Sequence, residues 1–182
     1  MKIYAGFWHR AGAFAADYVI ILTYLAVITL LSLLINSPLG VNHSVFAITH
    51  WLFANRLRAQ LTGFLLITLP VTLYFAISES SVRQATWGKR RLNLIVTDKH
   101  GNRIRFLRAL ARTFLKFIPW EISHTLIWEI YFSPGINSVL INSGFVLVYI
   151  VIGLNIASLV MTKTNQTLYD LLAGAYVLQQ PS

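Results

Sequence analysis

Asp17 is the first residue whose position invites chemistry. It sits about one turn inside the apolar run FAADYVIILTYLAVITLLSLLI, Phe14 to Ile35. An ionised carboxylate there costs several kcal/mol unless it is paired or hydrated. A carboxyl so placed either fixes helix packing as a buried polar link or titrates and holds an ion. Arg10 lies seven residues earlier, on nearly the same helical face and roughly 10 Å away along the axis at 1.5 Å per residue. That is too far for contact in a straight helix, but one water or one ligand would bridge the gap. Glu79, with Gln84, Thr86, Gly88 and Lys89 soon after it, makes a second polar set, and Asp170 makes a third.

Other chemistries find little footing. Gly88-Lys89 looks like a fragment of a phosphate loop. The glycine needed five residues before Gly88 is Arg83, however, and Arg90 stands where Ser or Thr should follow the lysine. A turn is the better reading, with Thr86 and Lys89 meeting carboxylates or lipid phosphate. No pair among His9, His43, His50, His100 and His124 has ligand spacing with an acidic partner. There is no cysteine and no G-x-S-x-G turn. No metal, cofactor or enzymatic activity is expected.

The elements that must position these residues are apolar. Of 182 residues, 56% are hydrophobic and 12% charged, roughly half the charge of a soluble domain. Phe14 to Ile35 is long enough to cross about 30 Å of hydrocarbon and too long for a signal-peptide core. Asn36, Ser37, Pro38 and Gly40 break it. VFAITHWLFANRLRAQ reads as an interfacial helix or as an extension of the second span, Leu61 to Ile77, which contains Pro70. A short third span, Trp120 to Phe132, carries Glu121, His124 and Glu129. The fourth, Val139 to Met161, has no charge. The expected fold is all-α: one polytopic membrane bundle of about four transmembrane helices over residues 1–182.

Between the second and third spans the chain turns basic. LNLIV and RIRF flank the turn-forming TDKHGN, which predicts a β-hairpin. FLRALARTFLKFI follows, with Leu107, Leu110, Phe114 and Phe117 on one side and Arg105, Arg108, Arg112 and Lys116 on another. That pattern predicts a basic amphipathic helix on anionic lipid headgroups, ended by Pro119. With four crossings and both termini inside, 13 of the 15 Lys and Arg residues are cytoplasmic and only Arg56 and Arg58 lie outside. Nucleic acid is not needed to explain the net charge of +9. The same topology gathers Arg10, Asp17, Glu79, Lys89 and Asp170 on one membrane face, where a cation or small anion could be held.

GFWHRAGAFAADYVI, QATWGKRRLNLIVTDKHGNRI and LYDLLAGAYVL together resemble the RDD family of membrane proteins. The one arginine and two aspartates of that name match Arg10, Asp17 and Asp170. Tyr169 stands where members usually have His, Ala175 where they often have Thr, and Trp87 where Pro or Leu is more usual. The resemblance implies a bacterial cytoplasmic-membrane protein, with transport proposed and cation/proton antiport suggested for some members. One expectation is exchange of a monovalent cation for protons at Asp17, assisted by Asp170 and Glu79 with Arg10 as counter-charge. Four helices are few for alternating access, so a homo-oligomer would be required. The other expectation is a non-transporting accessory protein that holds lipid or a protein partner through its basic surface.

Overall fold

The computed structural model describes residues 3–35 and 43–181. A short strand β1 (Ile3–Tyr4) leads into α1 (Phe7–Ile35), and α2 (His43–Leu52) follows. The second long helical segment joins α3 (Arg56–Gly63), a π turn (Phe64–Thr68) and α4 (Leu69–Ser80). Next come α5 (Trp87–Arg91), β2 (Leu94–Thr97), α6 (Phe106–Phe132), α7 (Ser138–Met161), α8 (Leu168–Ala173) and β3 (Tyr176–Gln179). The expected break at Asn36, Ser37, Pro38 and Gly40 lies outside the described residues. Both readings of 45–60 hold in part: the first half is a separate helix, and the second half extends the second span from Arg56.

Among the described residues three helical segments are long and apolar enough to cross a membrane: Phe7–Leu34, Arg56–Ser80 and Ser138–Met161. In the most apolar stretch of the first and third only 11% is buried, against 33% for the second. The second is therefore the central helix. The outer two present Leu, Ile and Val to their surroundings along their whole length, which suits lipid and not water.

The long helix α6 runs antiparallel to the central one, as side-chain pairs fix in order: Glu129 with Arg56, Glu121 with Thr68, Arg112 with Glu79. The expected basic helix and short third span are thus one continuous helix, and Pro119 lies inside it. Proline removes a single hydrogen bond, and packing along α4 carries the helix through. Pro70 in the central segment shows how such a loss is made good. It has no N–H for the carbonyl of Leu66, and the Tyr24 hydroxyl of α1 donates to that oxygen at 2.7 Å.

A three-stranded antiparallel sheet of order β1-β3-β2 closes one end. Ile3 opposes Gln179 on one edge of β3, and Leu94 to Thr97 oppose Gln179 to Tyr176 on the other. This corrects two expectations. The fold is mostly helical with a small sheet, not all-α, and the hairpin across TDKHGN shrinks to one bridge, Thr97 with Arg103. The turn itself forms, with Asp98 accepting from the backbone N–H groups of His100 and Asn102, both at 2.8 Å. The following residues enter α6 at once, so β2 pairs with distant β3. Ala5, Ala13, Ala76, Leu94, Val96, Ile104, Ala109, Ala175 and Val177 form the small core beneath.

Candidate functional site

Charged residues from five helices gather at the sheet end of the bundle. Asp17 is fully buried in α1 and accepts three hydrogen bonds. The Tyr74 and Thr86 hydroxyls donate at 2.9 and 2.5 Å, and the Gly88 N–H donates at 2.7 Å. Thr86 also caps α5 by accepting from the Lys89 N–H, and the Trp87 N–H donates to the Tyr74 hydroxyl at 3.2 Å. The loop motif is thereby a clamp of α5 onto α1. Gln84 belongs to its frame: it holds a left-handed φ of 51° and bonds Val96 through its backbone and side chain.

The other carboxylates are bound by cations. Glu79 takes Lys89 Nζ at 2.5 Å and Arg112 Nη1 at 2.6 Å. Arg112 Nε reaches Asp170 at 2.7 Å, and Asp170 also takes Arg10 Nη1 at 2.5 Å. A chain of alternating charge therefore runs Lys89, Glu79, Arg112, Asp170, Arg10 across α5, α4, α6, α8 and α1. Arg10 reaches further, to the carbonyls of Ala5 and Asn165. Asp170 also completes a capping box with Thr167 that starts α8.

Arg112 and Lys116 point into the cluster, where the amphipathic pattern predicts the outer surface of the helix. Arg112 is 2% exposed because it bridges two carboxylates. Lys116 turns inward over the rings of Phe75 (3.7 Å) and Phe14 (4.5 Å). Among the described residues no carboxylate pairs with it at salt-bridge distance. Arg105 and Arg108 remain exposed. Beside Lys116 lies a cavity of about 360 Å³ that Arg10, Asp17, Lys89 and Arg112 also line, with Phe7, Phe14, Ile152, Ile156 and Leu159 among its walls.

A model of the RDD family matches residues 4–174. The chain belongs to the RDD family. Comparisons with curated proteins and with solved structures give no match. In this RDD chain the three residues behind the name do not make one contact group. Arg10 pairs with Asp170, while Asp17 is served by neutral donors. Asp17 and Asp170 still border the same region, since Asp17, Thr167 and Arg112 all line the cavity. Tyr169, in place of the family's usual His, lays its ring 5.3 Å from the Arg112 guanidinium. The sequence reading missed Tyr74, the third donor to Asp17, because a tyrosine in an apolar span carries no distinguishing signal.

Asp170 lies in α8, outside the long apolar helices. Burial pushes its pKa up, but the Arg112 and Arg10 guanidiniums outweigh burial and hold it below the ordinary value. A depressed carboxylate contributes stability that is complete above its unfolded pKa of about 3.9 and is lost as pH falls through the folded value. The stability gap between wild type and Asp170→Asn is therefore expected to hold steady near neutrality. It should narrow below about pH 5, as read by thermal melts in detergent. A gap that widens toward acid would contradict this assignment.

Proposed function

We propose that this RDD protein is a membrane-embedded binding protein for an anionic group, held in the cavity beside Lys116. One observation carries the reading: Lys116 is the fourth cation of a cluster whose other three, Arg10, Lys89 and Arg112, are spoken for by Glu79 and Asp170. Asp17 is the remaining carboxylate, and three donors already occupy it. With every group ionised the cluster keeps one positive charge, and an anion is the partner that balances it. The apolar walls from α1 and α7 suit an anionic lipid, whose chains would lie along them.

The positive-inside tendency favours the cytosolic side for this end of the bundle, and the family resemblance implies a bacterial cytoplasmic membrane. Both described ends share the sheet, so an even number of crossings is required. We take α6, with its polar face against the central helix, as the fourth crossing.

Exchange of a monovalent cation for a proton at Asp17 is the competing reading, supported by that carboxyl's burial. The one unbalanced positive charge of the cluster opposes entry of another cation. Native mass spectrometry of detergent-purified protein with phosphatidylglycerol separates these views. Lys116→Gln is expected to weaken lipid binding about tenfold, the worth of one charge-assisted contact, and Lys116→Arg to retain it. Inorganic phosphate competes if the site takes a free anion. Equal binding by wild type and Lys116→Gln, for both lipid and phosphate, would remove the proposal. In proteoliposomes Asp17→Asn should leave a pH gradient's response to Na⁺, K⁺ or Li⁺ unaltered. A wild-type response that Asp17→Asn abolishes would install exchange instead.

A further inference from the structure

A second polar group lies halfway along the bundle, away from the charged cluster. Thr68, the last residue of the π turn, is twelve residues from each end of Arg56–Ser80, roughly 18 Å either way at 1.5 Å per residue. Its hydroxyl accepts from Trp120 Nε1 at 3.2 Å and donates to Glu121 Oε1. Gln60 Nε2 donates to Glu121 Oε2 at 3.1 Å. His124 Nδ1 stands 4.0 Å from Oε1. Glu121 is thus a carboxyl at mid-depth whose nearest basic group, among the described residues, is an imidazole.

The surrounding charges are engaged elsewhere. From α3, Arg56 is held by Glu129 of α6, and Arg58 stacks 4.2 Å over Trp51. Lys116, further along α6, turns to Phe75 and Phe14. His50 of α2 has interactions of its own. The adjoining α7 carries no ionisable side chain except Tyr149.

Three polar atoms here are buried without a protein partner among the described residues: Gln60 Oε1, His124 Nδ1 and Trp128 Nε1. A Cβ on Gly63 would meet His124 Cε1 at 3.3 Å, with His124 Nδ1 at 3.8 Å and Trp128 Nε1 at 3.9 Å. Both nitrogens therefore lie beside the bare backbone of Gly63, close to each other. Gln60 sits one turn earlier on the same face. An acceptor, a donor and a nitrogen able to be either are the set that a buried water requires. Such orphaned groups in an apolar span are costly, and π turns concentrate at functional sites.

We infer that Glu121 and His124 form an intramembrane proton-binding site, joined by water to Gln60 and Trp128. One proton from solvent adds to a Glu121 carboxylate oxygen and neutralises it; no other bond changes. This inference is independent of the anion reading, because Glu121 does not line that cavity.

Infrared difference spectra of the full chain in nanodiscs, recorded across a pH titration, test it. A carboxylic C=O band should appear as pH falls, disappear in Glu121→Gln and persist at shifted frequency in Glu121→Asp. His124→Phe should shift the frequency of that band, as loss of a polar neighbour in a hydrogen-bonded network does. Other carboxyls contribute bands that Glu121→Gln retains; a wild-type spectrum with no band beyond those overturns the inference. If Glu121→Gln fails to fold, Glu121→Asp decides, since an unshifted band then belongs to another carboxyl.

Discussion

Arg112→Met is expected to destabilise the protein by about 3–5 kcal/mol, the cost of leaving buried charges without their partner. Arg112 is bonded to Glu79 through Nη1 and to Asp170 through Nε. Both carboxylates are fully buried. Removing the guanidinium leaves each with a single cation, Lys89 or Arg10, and brings their like charges face to face. Arg112→Lys should recover only part of the loss, because one ammonium is a point charge and cannot span two carboxylates as a planar fork does. Glu79→Gln combined with Arg112→Met should be less damaging than the two losses added. Tryptophan-monitored unfolding in detergent would give these differences. A single variant within about 0.5 kcal/mol of wild type, the usual size of a surface change, would show that the bridge contributes little.

Arg112 also marks where sequence reasoning reached its limit. Arg105, Arg108, Arg112 and Lys116 fall on one helical stripe, and that much was legible. Periodicity fixes the direction of a stripe around the axis and says nothing about what stands opposite. Here Arg105 and Arg108 face outward past the cluster, while Arg112 meets Glu79 and Asp170, which lie 33 and 58 residues away. On the other side Leu107 and Phe114 are 75% and 53% exposed. Leu110 and Phe117 of the same side pack against the two cores, so each stripe is split between residues turned outward and residues turned in. The same division between local and distant information explains the sheet. The turn at TDKHGN was readable from its residues, whereas the pairing of β2 with β3 depends on a strand eighty residues later.

What the sequence did carry was that Thr86 and Lys89 meet carboxylates or lipid phosphate; the meeting of Thr86 and Gly88 with Asp17 comes from the structure. An apolar helix can accept a carboxylate only if donors come to it, and Thr86-Trp87-Gly88 is a run that can present a hydroxyl and free N–H groups at the start of a short helix. The convergence of Arg10, Asp17, Glu79, Lys89 and Asp170 on one end also followed from an even number of crossings. Their pairing did not, because Arg10 could choose between two aspartates and the choice rests on where α8 packs. The structure hands Asp17 to neutral donors and Asp170 to two guanidiniums.

The sharpest consequence of that meeting concerns Gly88. A Cβ there would stand 2.1 Å from the Ala13 carbonyl oxygen and 2.9 Å from the Asp17 backbone N and Cγ. Two of those three atoms are backbone of α1, which cannot step aside without moving the helix. Gly88→Ala must therefore push α5 off α1, lengthening the 2.7 Å bond from the Gly88 N–H to Asp17 and exposing that carboxylate's unmet valence. Overpacking costs about 1–3 kcal/mol, and a lost bond to a charged acceptor about 1.5–3 kcal/mol. The expected loss is about 3 kcal/mol or more, enough to deplete folded protein in the membrane. Gly12→Ala is the matched control. Its Cβ would meet only Leu92 Cδ1, the far end of a flexible side chain, at 3.2 Å, and it should cost less than about 1 kcal/mol. Melting midpoints of the two variants in the same detergent decide the matter. If Gly88→Ala melts with wild type, then α5 does not press against α1 as described, and the three-donor cradle for Asp17 goes with it.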